Sequence, residues 1–136
     1  VFSTLHTTTA VETVNRIISY FPPSERDLIR QEVAYTLMAV VCQRLLKRKG
    51  GGRIPCVEVL IGGRPIVRDA IEEGDLDKLF GIMEQDSDMQ SFDQYAVELY
   101  KNDIVERDEA ISACMDAEAF ERVMSGIMTS GGKLLK

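Results

Sequence analysis

Histidine occurs once in this chain of 136 residues, as His6. Any catalytic scheme that needs an imidazole must use that one residue, so no Ser/His/Asp or Cys/His set finds independent support. Cysteine is scarce as well. Cys42, Cys56 and Cys114 are odd in number and far apart, which argues for a reducing compartment and against a disulfide framework. No pair has CxxC spacing, so no zinc or other metal centre is expected. No apolar run reaches the roughly 18 residues needed to span a bilayer, which excludes direct membrane insertion. No charged-then-apolar leader is visible. The chain opens on Val1 rather than methionine, and the expectation is that further sequence precedes it.

The phosphate-cradling spacing GxxxxGK[ST] is also missing. "KGGGR" at Lys49–Arg53 does not have it. In the tail, Gly126 stands one residue too far from the Gly132–Lys133 pair that follows Gly131, and Leu134 replaces the hydroxyl that would hold magnesium. That stretch also follows a helical pattern rather than a strand. No repeat recurs at a fixed period.

What is present suits one domain of ordinary size, with 45% apolar residues. The net charge of −6 is unevenly placed: the first 68 residues carry 10 Lys+Arg against 5 Asp+Glu, and the remainder 6 against 17. Arg44, Lys47, Arg48, Lys49 and Arg53 form a basic cluster. It could meet phosphate or an acidic partner, or be a solvated hairpin tip. The acidic half argues against nucleic acid as the main ligand.

The pattern along the chain is α/β. Val1 to Leu5 reads as a strand. From Thr9 to Phe21, Val11, Val14, Ile17, Ile18 and Phe21 recur at helical spacing. Thr9 and Glu12 predict a capping box, and Pro22 and Pro23 stop the helix. Ser24 with Asp27 predicts a second helix carrying Leu28, Ile29, Val33 and Leu37. Two β-rich runs around Gly50–Gly52 predict a hairpin, with Pro55 at an edge or strand start. "RPIVRDAIEEG" then places Pro65 near the first position of a helix and Gly74 just past its last. Asp75, Ser91, Asp108 and Asp116 are candidate caps for four further short helices. The tail "SGGKLLK" is expected to be disordered.

His6 stands where the strand gives way to the helix. In open α/β sheets, ligands bind at the carboxyl ends of strands, near helix N-termini whose free N–H groups suit phosphate. An imidazole there could donate to a phosphate oxygen. The ordinary alternative is a capping or packing histidine.

"STLHTTTAVETVNRIISYFP" resembles the histidine box and following helix of the secretion and pilus ATPase superfamily. "RDLIRQEVAYTLMAVVCQRLLKRKGGGRIPCVEVLIG" resembles its next helix and hairpin, including Gln43, Arg44 and Leu45. "RPIVRDAIEEG" is similar to the retraction motif, usually written AIRNLIREG, and "MQSFDQYAVELYKNDIVERDEA" resembles the C-terminal helices. Isolated cysteines, in place of the paired CxxC motifs of assembly and type II secretion ATPases, favour the type IV pilus retraction branch. Ser3 replaces the usual Gly. In the motif, Arg68, Ile71, Glu73 and Gly74 are kept, while Ile66, Val67, Asp69, Ala70 and Glu72 depart from it.

The resemblance implies a fold: the C-terminal portion of a RecA-like ATPase core over residues 1–63, a helical C-terminal subdomain over 64–128, and a tail over 129–136. It implies that the Walker A and B segments precede this sequence, so that the chain alone is inactive. It further implies a hexameric ATP- and Mg²⁺-dependent motor, cytoplasmic or peripheral at the inner membrane, acting on the inner-membrane pilus machinery. His6 is implied to approach the γ-phosphate, and Arg68, Ile71, Glu73 and Gly74 to couple hydrolysis to retraction. A retraction-like paralogue stays open, as does a non-enzymatic module that binds a protein partner through its acidic helices.

Overall fold

The computed structural model describes residues 1–126. The order is α1 (Ala10–Ser19), α2 (Arg26–Thr36), β1 (Ala39–Lys47), β2 (Arg53–Ile61), α3 (Pro65–Glu73), α4 (Lys78–Gln85), α5 (Phe92–Lys101), α6 (Arg107–Ala113) and α7 (Ala117–Met124). The expected α/β class is borne out, with seven helices and a two-stranded sheet among the described residues.

Two compact units make up the chain. The first comprises Val1–Cys42 and Val59–Met83, and the second Gln43–Glu58 and the chain from Glu84 onward. In the first, α1 turns Ala10, Val14 and Ile18 fully inward. Burying an aliphatic side chain of this size stabilises by about 1.5–3 kcal/mol, which is why this stripe and not the whole helix fixes α1. Val11 and Ile17 are only half-buried and Phe21 is exposed. On α2 the predicted stripe is weaker still: Ala34 is buried, Ile29, Val33 and Leu37 are half-buried, and Leu28 faces solvent.

The hairpin is antiparallel. Gly62 N–H donates to the Met38 carbonyl at 2.9 Å, and Arg48 N–H to the Gly52 carbonyl at 3.1 Å. Both bonds define one register, with no bulge. Gly62 is required by close approach: a Cβ there would stand 2.1 Å from the Leu37 carbonyl oxygen. Proline stands within β2, which in a two-stranded sheet is an edge strand.

Helix ends follow the predicted chemistry in part. Pro65 occupies the first turn of α3, and Gly74 closes it in the left-handed region at φ 75°. Ser91 and Gln94 form a complete capping box on α5, and Asp116 caps α7. Others differ. Val1–Leu5 forms no strand, because no described segment lies beside it to pair its backbone. Thr9 caps α1, but Glu12 reaches back to the N–H and hydroxyl of Thr8 rather than to Thr9, so the box closes one residue early. Helix α2 begins at Arg26 and not at Ser24, since Glu25 N–H closes a turn onto the Pro22 carbonyl. Asp75 is held by Lys78, and Asp108 lies inside the first turn of α6 behind Glu106. The "SGGKLLK" tail, the glycines within it and Ile127 lie outside the described residues.

In the second unit Phe92, Ala96, Val97 and Leu99 of α5 meet a core that includes Leu46, Cys56, Ala110, Cys114 and Phe120. Asp93 is buried in that unit at 1% exposure. Its Oδ1 accepts from Met115 N–H at 2.8 Å, and Oδ2 lies 3.8 Å from Arg122. Arg122 also holds Glu84 at 3.2 Å. Burial raises the pKa of both carboxyls, outweighing Arg122 for Glu84, and the Met115 bond and Arg122 for Asp93. A carboxyl whose folded pKa exceeds its unfolded one binds protons preferentially in the fold. Its contribution to stability therefore grows as pH falls through the raised folded value, and is complete below the ordinary carboxylate range. The expected outcome is that wild type gains stability on acidification from neutrality relative to the Glu84→Gln/Asp93→Asn variant. Urea midpoints of the two proteins, followed against pH, check this sign.

Candidate functional site

Thr9 gives α1 its start, accepting from Glu12 N–H at 3.1 Å. The hydroxyls around it are interlinked: Thr7 and Thr13 lie 2.7 Å apart, and Thr13 donates to the Thr9 carbonyl at 2.8 Å. His6 precedes this cap and is exposed. Capping is thus performed by Thr9, and the ring of His6 is not packed into the core. Neither ordinary role foreseen for the histidine is filled.

Beside the start of α1 lies an open cleft of about 440 Å³. Thr9, Glu12 and Asn15 line one side, and the turn from Gly74 to Asp77 the other. The helix that follows the histidine thus shares a cleft with the end of the "RPIVRDAIEEG" helix. Its rim is acidic through Glu12, Asp75 and Asp77. The pKa of Glu12 is held below the usual range, first by the Thr8 backbone N–H and then by the Thr8 hydroxyl. An ionised rim of this kind repels free anions. His6 itself is not among the lining residues.

The four motif residues take different positions. Ile71 is buried, and Gly74 ends the helix. A Cβ on Gly74 would come within 3.2 Å of Arg30 Nε, in addition to the strain of its positive φ. Glu73 is exposed and pairs with Lys78 at 3.2 Å. Arg68 does not pair with the nearby acids Glu72 or Asp75. Asp75 is taken by Lys78 at 3.0 Å, and the Arg68 guanidinium lies 5.5 Å over the ring of Tyr35. This α2–α3 contact is one that sequence reasoning missed. An exposed aromatic on the facing helix, Tyr35, was its only available signal.

Among the described residues, no three His, Cys, Asp or Glu side chains come together in a way that could hold a metal ion. No described helix is long and apolar enough to cross a membrane.

No family model matches the chain. It is 35% identical over 122 residues to the Twitching motility protein of Neisseria gonorrhoeae, covering 88% of this chain and 32% of that protein. It is 32% identical over 112 residues to the Type IV pilus retractation ATPase PilT of Pseudomonas aeruginosa, covering 81% and 32%. Among solved structures it matches the pilus retraction motor PilT with bound ADP, with TM-score 0.77 and 33% identity over 87% of this chain and 33% of that one. The Legionella pneumophila ATPase DotB matches with TM-score 0.64 at 20% identity, a likeness of fold. The chain thus spans about a third of the length of the relatives it matches.

Proposed function

We propose, on the premise that this chain is a homologue of the type IV pilus retraction ATPases over 81% or more of its length, that it supplies the histidine box and coupling region of an ATP-driven retraction motor. The observation that carries this reading is the joint match in sequence and fold to a retraction motor that binds ADP. In this reading residues 1–63 belong to a RecA-like core and 64–128 to a helical subdomain. The working assembly is a cytoplasmic homo-hexamer that meets the inner-membrane pilus machinery.

Bound Mg-ATP supplies the transferable γ-phosphate and the metal that neutralises its charge. The described residues offer one fit to it, an exposed imidazole at the entry to a helix N-terminus. His6 is assigned to hold a γ-phosphate oxygen by donating a hydrogen bond. No magnesium ligand is assigned within this chain. Because the sequence contains no GxxxxGK[ST], the purified 136-residue chain is expected to show no ATP turnover, measured as phosphate release. Turnover by this chain alone would overturn the assignment of the phosphate cradle to other sequence.

Arg68 is assigned to coupling. Its guanidinium over Tyr35 links α3 to α2, so movement of one helix is carried to the other. Such a contact is worth about 0.5–1 kcal/mol at a half-exposed site, too little for its loss to unfold the protein. In the full-length motor Arg68→Ala is expected to leave ATPase rate and ring assembly nearly intact while abolishing surface motility. Arg68→Lys keeps the charge but loses planar stacking, and should restore motility only partly. Retained motility in Arg68→Ala would favour a retraction-like paralogue. Lost hydrolysis would move Arg68 to the ATP site or a subunit interface.

A further inference from the structure

The basic cluster at the hairpin separates into two groups. Arg44 is engaged: its Nη1 donates to the Ala113 carbonyl at 2.7 Å, and its guanidinium lies 4.2 Å over the Phe92 ring. Lys49 is engaged as well, with Nζ 2.5 Å from Asp103 and 3.6 Å from Glu106. Lys47, Arg48 and Arg53 are not. All three are exposed, and among the described residues no carboxylate pairs with their side chains.

The register makes this arrangement costly. With Arg48 opposite Gly52 and Met38 opposite Gly62, Lys47 stands directly across from Arg53 on the exposed face. Like charges opposite each other on one face destabilise a sheet. The next pair along that face is Leu45 and Pro55, both exposed. The ribbon is also fixed in place. Lys47 N–H donates to Glu109 at 2.7 Å, and Lys49 N–H to the Ile104 carbonyl at 2.8 Å. A pair of unneutralised cations and an apolar pair are therefore held ready on one face of a braced ribbon, with Arg48 in the adjoining turn.

We propose that this outer face of the hairpin tip docks a short acidic segment of a protein partner, whose carboxylates meet Lys47 and Arg53 and whose apolar side chain rests on Leu45 and Pro55, with Arg48 in the adjoining turn adding to the positive field. Charge complementarity favours an anionic occupant. The surrounding charge selects which kind. Asp103, Glu106 and Glu109 flank the tip, so an extended polyanion or a charged bilayer plane meets repulsion around the cations. A single strand with acidic and apolar residues two positions apart, so that both fall on the face it presents to the ribbon, does not.

The test measures anisotropy of a labelled peptide of repeated Glu-Ser-Val-Ser, which sets Glu and Val on one face, and of its Gln counterpart, with the 136-residue chain. Phosphatidylglycerol vesicles and poly(U) RNA serve as competing anions. The Glu peptide is expected to bind and to weaken as salt rises. Binding to a Lys47→Ser/Arg48→Ser/Arg53→Ser variant should be about tenfold weaker, while exposed Lys101→Ser leaves it unchanged. Arg48→Ser alone, in the turn, should give a smaller loss in the same direction. The triple variant should melt no lower than wild type, since it relieves a repulsive pair. Equal binding of the Glu and Gln peptides, undiminished binding by the triple variant, or tighter binding of vesicles or RNA would overturn the proposal. A lowered melting temperature would assign the cations to folding instead.

Discussion

If His6 holds the γ-phosphate as proposed, replacing it by alanine in the full-length protein is expected to lower kcat by about 10²-fold, as removal of other preorganised donors does, with nucleotide affinity nearly unchanged. One hydrogen bond aimed at the γ-phosphate matters most as charge redistributes in the transition state, and little in the ground state. The local structure makes the experiment clean. Thr9 caps α1 and Thr8 engages Glu12, so truncating an exposed ring upstream removes no cap and opens no cavity. Single-turnover kinetics with a separate nucleotide-binding measurement distinguish the two terms. An unchanged kcat in a folded, assembled protein would remove His6 from the chemistry.

Phe120→Ala should be the most damaging single truncation in the second unit, costing about 3–5 kcal/mol. The ring is 1% exposed and meets Tyr100 edge-on at 5.6 Å between centroids. The Arg107 guanidinium covers it at 5.4 Å. Truncation therefore leaves a cavity and takes the aromatic partner from one side chain and the cation–π face from another. Such losses add to the transfer term because close-packed surroundings relax only partly. Denaturant midpoints of Phe120→Ala and Phe120→Leu check this. Leucine should restore a large part of the loss, and a cost below about 1 kcal/mol for alanine would show that α7 contributes little to the unit.

What the sequence revealed was chiefly local. The glycine run between β-rich segments marked the hairpin, Pro65 and Gly74 bracketed α3, and Ser91 and Asp116 announced two helices, because each of these signals acts within a few residues. The leading strand misled for the opposite reason. Its pattern was adequate, but a strand exists only through a neighbour, and none is described beside Val1–Leu5. Long-range polar pairs were equally hidden. Nothing in the order of residues relates Arg122 to Glu84, 38 positions earlier, or sends Arg68 to Tyr35 in place of a nearby acid. Of the candidate site, the His6 position and the helix start were readable. The cleft between the α1 start and the Gly74 turn required folded coordinates.

The three buried thiols have a practical consequence. Burial pushes the pKa of Cys56 up to about 11 and that of Cys114 up to about 12, and Cys42 is shielded from solvent as well. Thiolate is the reactive form, so at neutral pH the native cysteines are poor targets for maleimide reagents. A single cysteine introduced at an exposed position such as Ser87 would take the label ahead of all three. Fluorescent or spin probes can then be attached in the native background, without the substitutions that a reactive wild-type cysteine would demand.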